Sequence, residues 1–181
     1  MTVGTDHHPF HRLIEWIDRW LEDGGAQLVQ CTIQGGTSWR GRHGSFHDFL
    51  SYQEVQAAMG QALAVVCQGG PGTIMECRAL AQVPIVVPRL RRLGEAVDDH
   101  QVAFARHLAE AGEIHLAETE AELRKLLDRV LVEPEAFQGQ LARRHGDEAV
   151  RRFQELVNEL VSSRVAPDRR SRWRRQRLSP R

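Results

Sequence analysis

Ala64-Val65-Val66-Cys67-Gln68-Gly69-Gly70-Pro71-Gly72-Thr73-Ile74-Met75-Glu76 is the stretch that decides the fold. A compact apolar run over residues 64–67 ends directly in a loop with three glycines, and helical spacing follows over residues 73–80. An apolar run without polar alternation suits a strand covered on both faces. Glycine lets the backbone turn tightly and come close to a ligand. The start of a helix offers unpaired N–H groups and a partial positive charge, which suit a diphosphate. Thr73 can cap that helix or donate to a phosphate oxygen. Glu76 lies one turn in, on the side facing the loop, where a carboxylate can accept both hydroxyls of a ribose. A plain strand–helix turn with an exposed Glu fits the same letters, which are neither a G-x-G-x-x-G fingerprint nor a Walker loop.

Working outward, short apolar runs alternate with helical patterns. Residues 2–4 read as the end of a first strand running into Gly4, so short that either a few residues are missing before it or the edge is short by nature. Phe10, Leu13, Ile14, Ile17 and Leu21 share one helical stripe, stopped by Asp23-Gly24-Gly25. Residues 27–33 read as a strand and 38–44 as an Arg- and Gly-rich loop. Residues 45–50 suit a short strand and 52–63 a helix. Further along come a strand over 84–87, a charged loop over 89–97 and a helix over 98–111. A strand over 113–116, a helix over 121–131 and a long charged helical pattern over 135–161 complete the series. Strands alternating with helices of about 10–15 residues predict βαβ units, hence an α/β, Rossmann-like parallel sheet with helices on both faces. Ligands of such sheets bind beyond the carboxyl ends of the strands. The glycine loops after Val3, Ile33 and Cys67 all fall there.

Two further clusters belong to that edge. Arg89, Gly94 and Glu95 lead to Asp98-Asp99-His100-Gln101, whose side chains could hydrogen-bond sugar hydroxyls. Helix capping explains the same run, with Asp98 as N-cap and Gln101 three residues on. Gly4-Thr5-Asp6-His7-His8-Pro9 enters the first helix. Its adjacent histidines are expected to face apart, and no cysteine or carboxylate has metal spacing to them, so no metal site is expected. His43 and His47 read as loop residues, His107 and His115 as surface residues.

Composition narrows the class. The chain has 181 residues, enough for one sizeable core, and a formal net charge of zero, which gives no overall bias towards nucleic acid or membrane. Three cysteines, Cys31, Cys67 and Cys77, make no disulfide framework and fit a reducing compartment as buried thiols. No apolar run reaches the roughly 20 residues of a membrane span, and no leader pattern opens the chain. A cytoplasmic protein is expected, with a domain over 1–162. Residues 163–181 are dominated by arginine and are expected to be disordered. That tail could meet an anionic membrane surface, another protein, or nothing. A nucleic-acid arm would need support from a basic face or aromatic platform, which the core pattern lacks.

Taken together, Gly4-Thr5 leading to Pro9-Phe10 and Arg12-Leu13-Ile14, then Gly69-Gly70-Pro71-Gly72-Thr73-Ile74-x-Glu76, Pro84-Ile85-Val86-Val87-Pro88-Arg89 and Gly94-Glu95-x-x-Asp98-Asp99-His100-Gln101 resemble the C-terminal domain of family 28 glycosyltransferases. The order and spacing cover roughly residues 2–131. Stand-alone versions of that domain are most similar: the catalytic subunit that adds the second N-acetylglucosamine to dolichol-linked oligosaccharide, and the small subunits of bacterial exopolysaccharide and capsule transferases. The resemblance implies the donor-binding half of a GT-B enzyme. A separate membrane-associated subunit would hold a polyprenyl-diphosphate-linked sugar. Glu76 would hold the ribose, and Gly70, Gly72 and Thr73 would surround the diphosphate of a UDP-sugar. His100 and Gln101 would contact donor hydroxyls, with Gly4, Thr5, Gln68, Gly69, Pro71, Arg89, Gly94, Glu95 and Asp99 around them. The resemblance implies an inverting, metal-independent transfer without a cofactor, its base attributed to the other half; His7 is the candidate within this chain. Gln68 stands where the family often has His. A non-catalytic nucleotide-sugar-binding module is the alternative. The sugar is not legible, although Arg89, Arg91 and Arg92 could pair with a uronate. An isolated half exposes the apolar surface meant for its partner, so a homodimer is expected where the partner is absent.

Overall fold

The computed structural model describes residues 1–139. The domain boundary expected at 162/163, the Arg-rich tail and most of the pattern over 135–161 lie outside the described residues.

Five short strands carry the sheet: β1 (Thr32–Gln34), β2 (Ser45–His47), β3 (Val66–Gln68), β4 (Ile85–Val87) and β5 (His115–Leu116), with every ladder parallel. Thr2 joins the two halves, bridging Gln34 on one side and Cys67 on the other. The spatial order is therefore β2–β1–Thr2–β3–β4–β5. The expected first strand is thus a two-sided bridge at the centre rather than a ladder of its own. Its backbone is held by Thr2 N–H to Val66 O at 2.9 Å and Val3 N–H to Gln34 O at 3.0 Å.

Helices cover both faces. Leu13, Ile14 and Ile17 of α1 (His11–Trp20) and Leu123, Leu127 and Val130 of α6 (Glu120–Val132) bury with Val3, Ile33, Val66, Ile85 and Val87. On the other face Cys67 and Val86 meet Ile74 of α4 (Pro71–Ala79) and Ala105 of α5 (His100–Glu110). Met59 of α3 (Tyr52–Gln61) packs there with Val65 and Cys77. Neighbouring strand residues thus enter opposite cores, as the period of two requires. At roughly 1.5–3 kcal/mol for each fully buried large aliphatic side chain, this double burial supplies the main stabilisation of the sheet.

Local chemistry sets the helix starts. Ser51 with Glu54, and Thr119 with Glu122, form capping boxes at α3 and α6. Before α1, the Phe10 N–H donates to Ser38 Oγ at 2.8 Å. Two boundaries differ from expectation. Asp23-Gly24-Gly25 does not stop the first helix: Gly24 takes φ 124°, and the chain kinks through a π-turn (Leu21–Gly25) into the short α2 (Ala26–Leu28). The strand expected from residue 27 therefore begins at Thr32. His115 is half-buried in β5, its ring against Phe137 and its Nε2 3.0 Å from Ala136 O, so it is not a surface residue. His47 lies in β2 rather than a loop.

Among the described residues no helix is long and apolar enough to cross a membrane. Cys67 and Cys77 are buried, and the Cys67 thiol is pushed well up by its contact with Cys77 and by burial. That leaves it protonated and inert.

Candidate donor site at the carboxyl edge of the sheet

The chain leaves the central Thr2 position towards α1 on one face, and leaves the adjacent β3 towards α4 on the other. Two neighbouring strands whose following loops part to opposite faces leave a crevice at their carboxyl ends, the topological switch point of an open parallel sheet. The loops flanking it are those starting at Gly4 and Gly69, two of the glycine loops singled out above.

Gln68 floors that crevice. The residue is 8% exposed, and its Nε2 donates to Thr73 Oγ1 at 3.2 Å. A Cβ at Gly4 would clash with the Gln68 amide, and one at Gly70 would stand 2.9 Å from the same nitrogen. Gly4 also takes φ 76°, which glycine adopts freely, whereas the neighbour at Gly70 is the far end of the flexible Gln68 side chain. The Oε1 of Gln68 is buried without a hydrogen-bond partner among the described residues. The substitution of His by Gln thus keeps a polar amide beneath both loops.

Helix α4 starts two residues before the apolar spacing suggests, at Pro71, with Gly70 as N-cap and no side chain capping it. Pro71 suits the first helical position, where its missing N–H costs nothing. Thr73 is therefore not the cap; its hydroxyl is turned to Gln68. The Gly72 and Thr73 N–H groups have no intrahelical acceptor and open towards the loop together with the positive end of the helix. Glu76, half-buried one turn in, makes no side-chain hydrogen bond or ion pair among the described residues. A carboxylate so placed has both oxygens free for a ligand.

The second cluster comes together with the first at one point. A Cβ at Gly69 would lie 3.1 Å from Cβ of Gln101, so the start of α5 packs directly on the glycine loop. Gln101 Oε1 accepts weakly from Arg89 N–H at 3.4 Å. The capping box expected from Asp98 and Gln101 is absent. The N-cap is Asp99, without a side-chain cap bond, and its Oδ1 accepts Arg91 N–H at 2.9 Å. Asp98 instead receives both the N–H and Nδ1 of His100, which lowers its carboxyl pKa, chiefly through the backbone donor. His100 itself is exposed at the helix start. Gly94, at φ 70°, closes the short turn Arg91–Leu93 before it.

Arg89 and Glu95 are corrections. Arg89 is fully buried at 0% exposure. Its Nη1 donates to His8 O at 2.8 Å and Glu95 O at 2.9 Å, and its Nη2 to Val3 O at 2.9 Å, while the guanidinium lies over Phe10. Burial lowers its pKa against the opposing pull of Asp6 and Glu95. A side chain so enclosed does not reach a sugar or a uronate; it ties the first loop to the loop over residues 89–97. The Glu95 carboxylate is taken by Arg12, Nε to Oε1 at 2.9 Å and Nη2 to Oε2 at 2.8 Å, and by Leu90 N–H. Arg91 and Arg92 are exposed.

The first loop also departs from expectation. Asp6 Oδ1 accepts His8 N–H at 2.7 Å and lies 2.6 Å from His8 Nδ1, a turn that folds the histidines back. The His7 and His8 rings then sit with centroids 4.0 Å apart, not facing away from each other. Ligand-bearing atoms of Asp6, His7 and His8 fall within 4.8 Å of one another. Asp6 is held below the usual carboxylate range, first by the His8 backbone donor and then by the His8 ring and Arg89.

The pattern of the glycosyltransferase family 28 C-terminal domain matches residues 1–160. The chain belongs to that family. Among curated relatives, the UDP-N-acetylglucosamine–N-acetylmuramyl-(pentapeptide) pyrophosphoryl-undecaprenol N-acetylglucosamine transferase of Bordetella petrii is 33% identical over 91 residues, 50% of this chain and 24% of that protein. The enzyme of the same name from Acidithiobacillus ferrooxidans is 36% identical over 86 residues, 45% of this chain and 23% of its own length. The chain thus matches about a quarter of the length of these relatives. The crystal structure of Acinetobacter baumannii MurG shares the fold, with TM-score 0.50 and 22% identity over 75% of this chain and 42% of that one.

A cleft of about 500 Å³ opens at the other end of the sheet, among Met1, Val29, Ala64, Leu63 and Leu127. It is lined mainly by apolar side chains and contains none of the glycine-loop residues.

Proposed function

We propose that the chain is the donor-binding half of an inverting UDP-sugar glycosyltransferase. Its acceptor, a polyprenyl-diphosphate-linked sugar of exopolysaccharide or capsule synthesis, is held by a separate membrane-associated subunit at the inner face of the membrane. The carrying observation is the Glu76 carboxylate, unpaired among the described residues, one turn behind the uncapped start of α4 at the switch point. Family membership supports the reading, as do relatives named for a UDP-N-acetylglucosamine donor and an undecaprenol-linked acceptor.

In this account the ribose hydroxyls donate to Glu76. The diphosphate lies across Gly70, Gly72 and Thr73, and the sugar meets His100 and Gln101 beside Gly4 and Thr5. The acceptor oxygen attacks the anomeric carbon as the bond to the β-phosphate oxygen breaks, and the electron pair leaves with UDP. The acceptor proton passes to a base in the other half. Amides at the α4 start and the helix dipole meet the charge that builds on the diphosphate, without a metal ion or cofactor.

Titration of the full chain by calorimetry with UDP, GDP and TDP, with and without magnesium, tests the reading. Metal-independent selectivity for UDP, weakened at least about tenfold in Glu76→Ala, is expected, a charged hydrogen bond being worth about 1.5–3 kcal/mol. Equal affinity for the three nucleotides, or an unaffected Glu76→Ala, refutes it.

A further inference from the structure

The first loop, whose Gly4 approaches the same Gln68 amide as Gly70, carries a second charged device, and the two histidines in it are not equivalent. His8 is held from three directions. Its N–H and its Nδ1 both engage Asp6 Oδ1, at 2.7 and 2.6 Å, and its carbonyl accepts from the buried Arg89 at 2.8 Å. Arg89 also grips Val3 O, the last residue before Gly4. The His8 side chain is 22% exposed, and the Asp6 bond fixes a proton on Nδ1, leaving Nε2 as the free nitrogen. The His7 side chain is 85% exposed, with its Nδ1 3.7 Å from Asp6 Oδ1, beyond hydrogen-bond range. Among the described residues only His7 O is tied, to Thr37 Oγ1 at 2.9 Å.

The placement adds the ligand. Gly4, two residues before Asp6, rests on the Gln68 amide, and Gly70 rests on the same amide. The loop bearing the dyad and the cradle at the start of α4 therefore share one floor. The titratable and charged groups around the His8 ring are Asp6, His7 and Arg89. Asp6 offsets a positive charge on the ring, while three Arg89 N–H groups are spent on carbonyls and its Nε is buried without a partner among the described residues. An imidazolium with one nitrogen anchored on a carboxylate and the other free suits a phosphate oxygen, through a charge-assisted hydrogen bond.

We infer that His8, oriented by Asp6, meets the diphosphate of the nucleotide-sugar alongside the α4 amides and donates from Nε2 to the leaving UDP. The inference rests on the donor-half reading. His8 acts as a hydrogen-bond donor to the oxygen that receives the electron pair of the broken anomeric bond. Asp6 is a positioning residue. His7, the candidate base of the sequence reading, carries neither role.

The test is calorimetric titration of the full chain with UDP-N-acetylglucosamine, whose diphosphate diester does not titrate in the range used, from about pH 5 to 8, the window of imidazole ionisation. Wild type is expected to bind about tenfold more weakly at the alkaline end, the scale of one charge-assisted hydrogen bond. His8→Gln is expected to bind about tenfold more weakly than wild type at the acid end and to lose the pH dependence. Asp6→Asn is expected to weaken binding at the acid end by a few-fold, with a smaller pH dependence. His7→Gln follows wild type. Melting curves of all four proteins establish that each is folded. Retention of wild-type affinity and pH dependence by His8→Gln, or transfer of the loss to His7→Gln, overturns the inference while leaving the donor reading intact. Absence of binding by wild type overturns both.

Discussion

Truncation of Arg89 separates a clamp from a ligand contact. In Arg89→Ala three main-chain carbonyls, of Val3, His8 and Glu95, lose a charged donor inside the protein, and the Phe10 ring loses its cover. Each hydrogen bond to a charged group contributes about 1.5–3 kcal/mol, and an orphaned buried acceptor costs about 1–3 kcal/mol. These costs are not additive, and relief of the buried guanidinium's desolvation offsets part of them. The net loss expected is about 3–4 kcal/mol. At roughly 3 °C per kcal/mol for a chain of this size, the melting temperature falls by about 10 °C. Arg89→Lys keeps the charge but cannot span three carbonyls with one ammonium, and it recovers less than half of the loss. Urea denaturation and thermal melts of the three proteins give the values. A loss below about 1 kcal/mol, combined with a specific fall in nucleotide affinity, would show that the side chain serves the donor directly and that its burial has been misread.

Other consequences can be measured in the same way. Gly4→Ala places a Cβ on the Gln68 amide at a backbone with φ 76°, and should cost about 1–3 kcal/mol in denaturation together with nucleotide affinity. Asp18, buried on α1, accepts Arg42 N–H at 2.7 Å, His43 N–H at 2.9 Å and the His43 ring at 3.1 Å. Asp18→Ala should therefore cost about 2 kcal/mol while leaving nucleotide binding within about twofold of wild type. For Asp6, a depressed folded-state pKa means its stabilising bond is present above the ordinary carboxyl value near 3.9 and is lost as pH falls through the lower folded value. Thermal melts of Asp6→Asn and wild type should accordingly differ at neutral pH and converge in acid below about pH 4. Persistence of the same difference at pH 2–3 would mean the carboxylate's charge contributes nothing to it.

The parallel sheet and its loops were legible because both signals are local. Continuous apolar runs such as Val65–Cys67 mark doubly covered strands, and three glycines at their carboxyl ends mark close backbone approach. The position of Glu76 one turn into α4 was legible from its spacing to the loop. What escaped was nonlocal. The Arg12–Glu95 pair joins residues 83 positions apart, and nothing near either letter announces it. Arg89 reads as a loop arginine, because only the folded chain reveals that Val3, His8 and Glu95 turn their carbonyls onto it. The centrality of Thr2 is also topological: two residues suffice as a strand because Gln34 and Cys67 flank them. The Asp98–Gln101 capping box failed for a local reason. Asp98 bonds two residues ahead, to His100, and the helix starts one residue later than the pattern implies.

The central claim places the donor at the start of α4 rather than in the apolar cleft at the opposite edge of the sheet. Amide chemical-shift mapping of the isotopically labelled full chain during titration with UDP-N-acetylglucosamine tests this most directly. The account predicts saturable shifts concentrated at Gly69, Gly70, Gly72, Thr73, Glu76 and Gln101, and their loss in Glu76→Ala. Shifts concentrated instead at Val29, Leu63, Ala64 and Leu127, or none at all at saturating nucleotide-sugar, would contradict it.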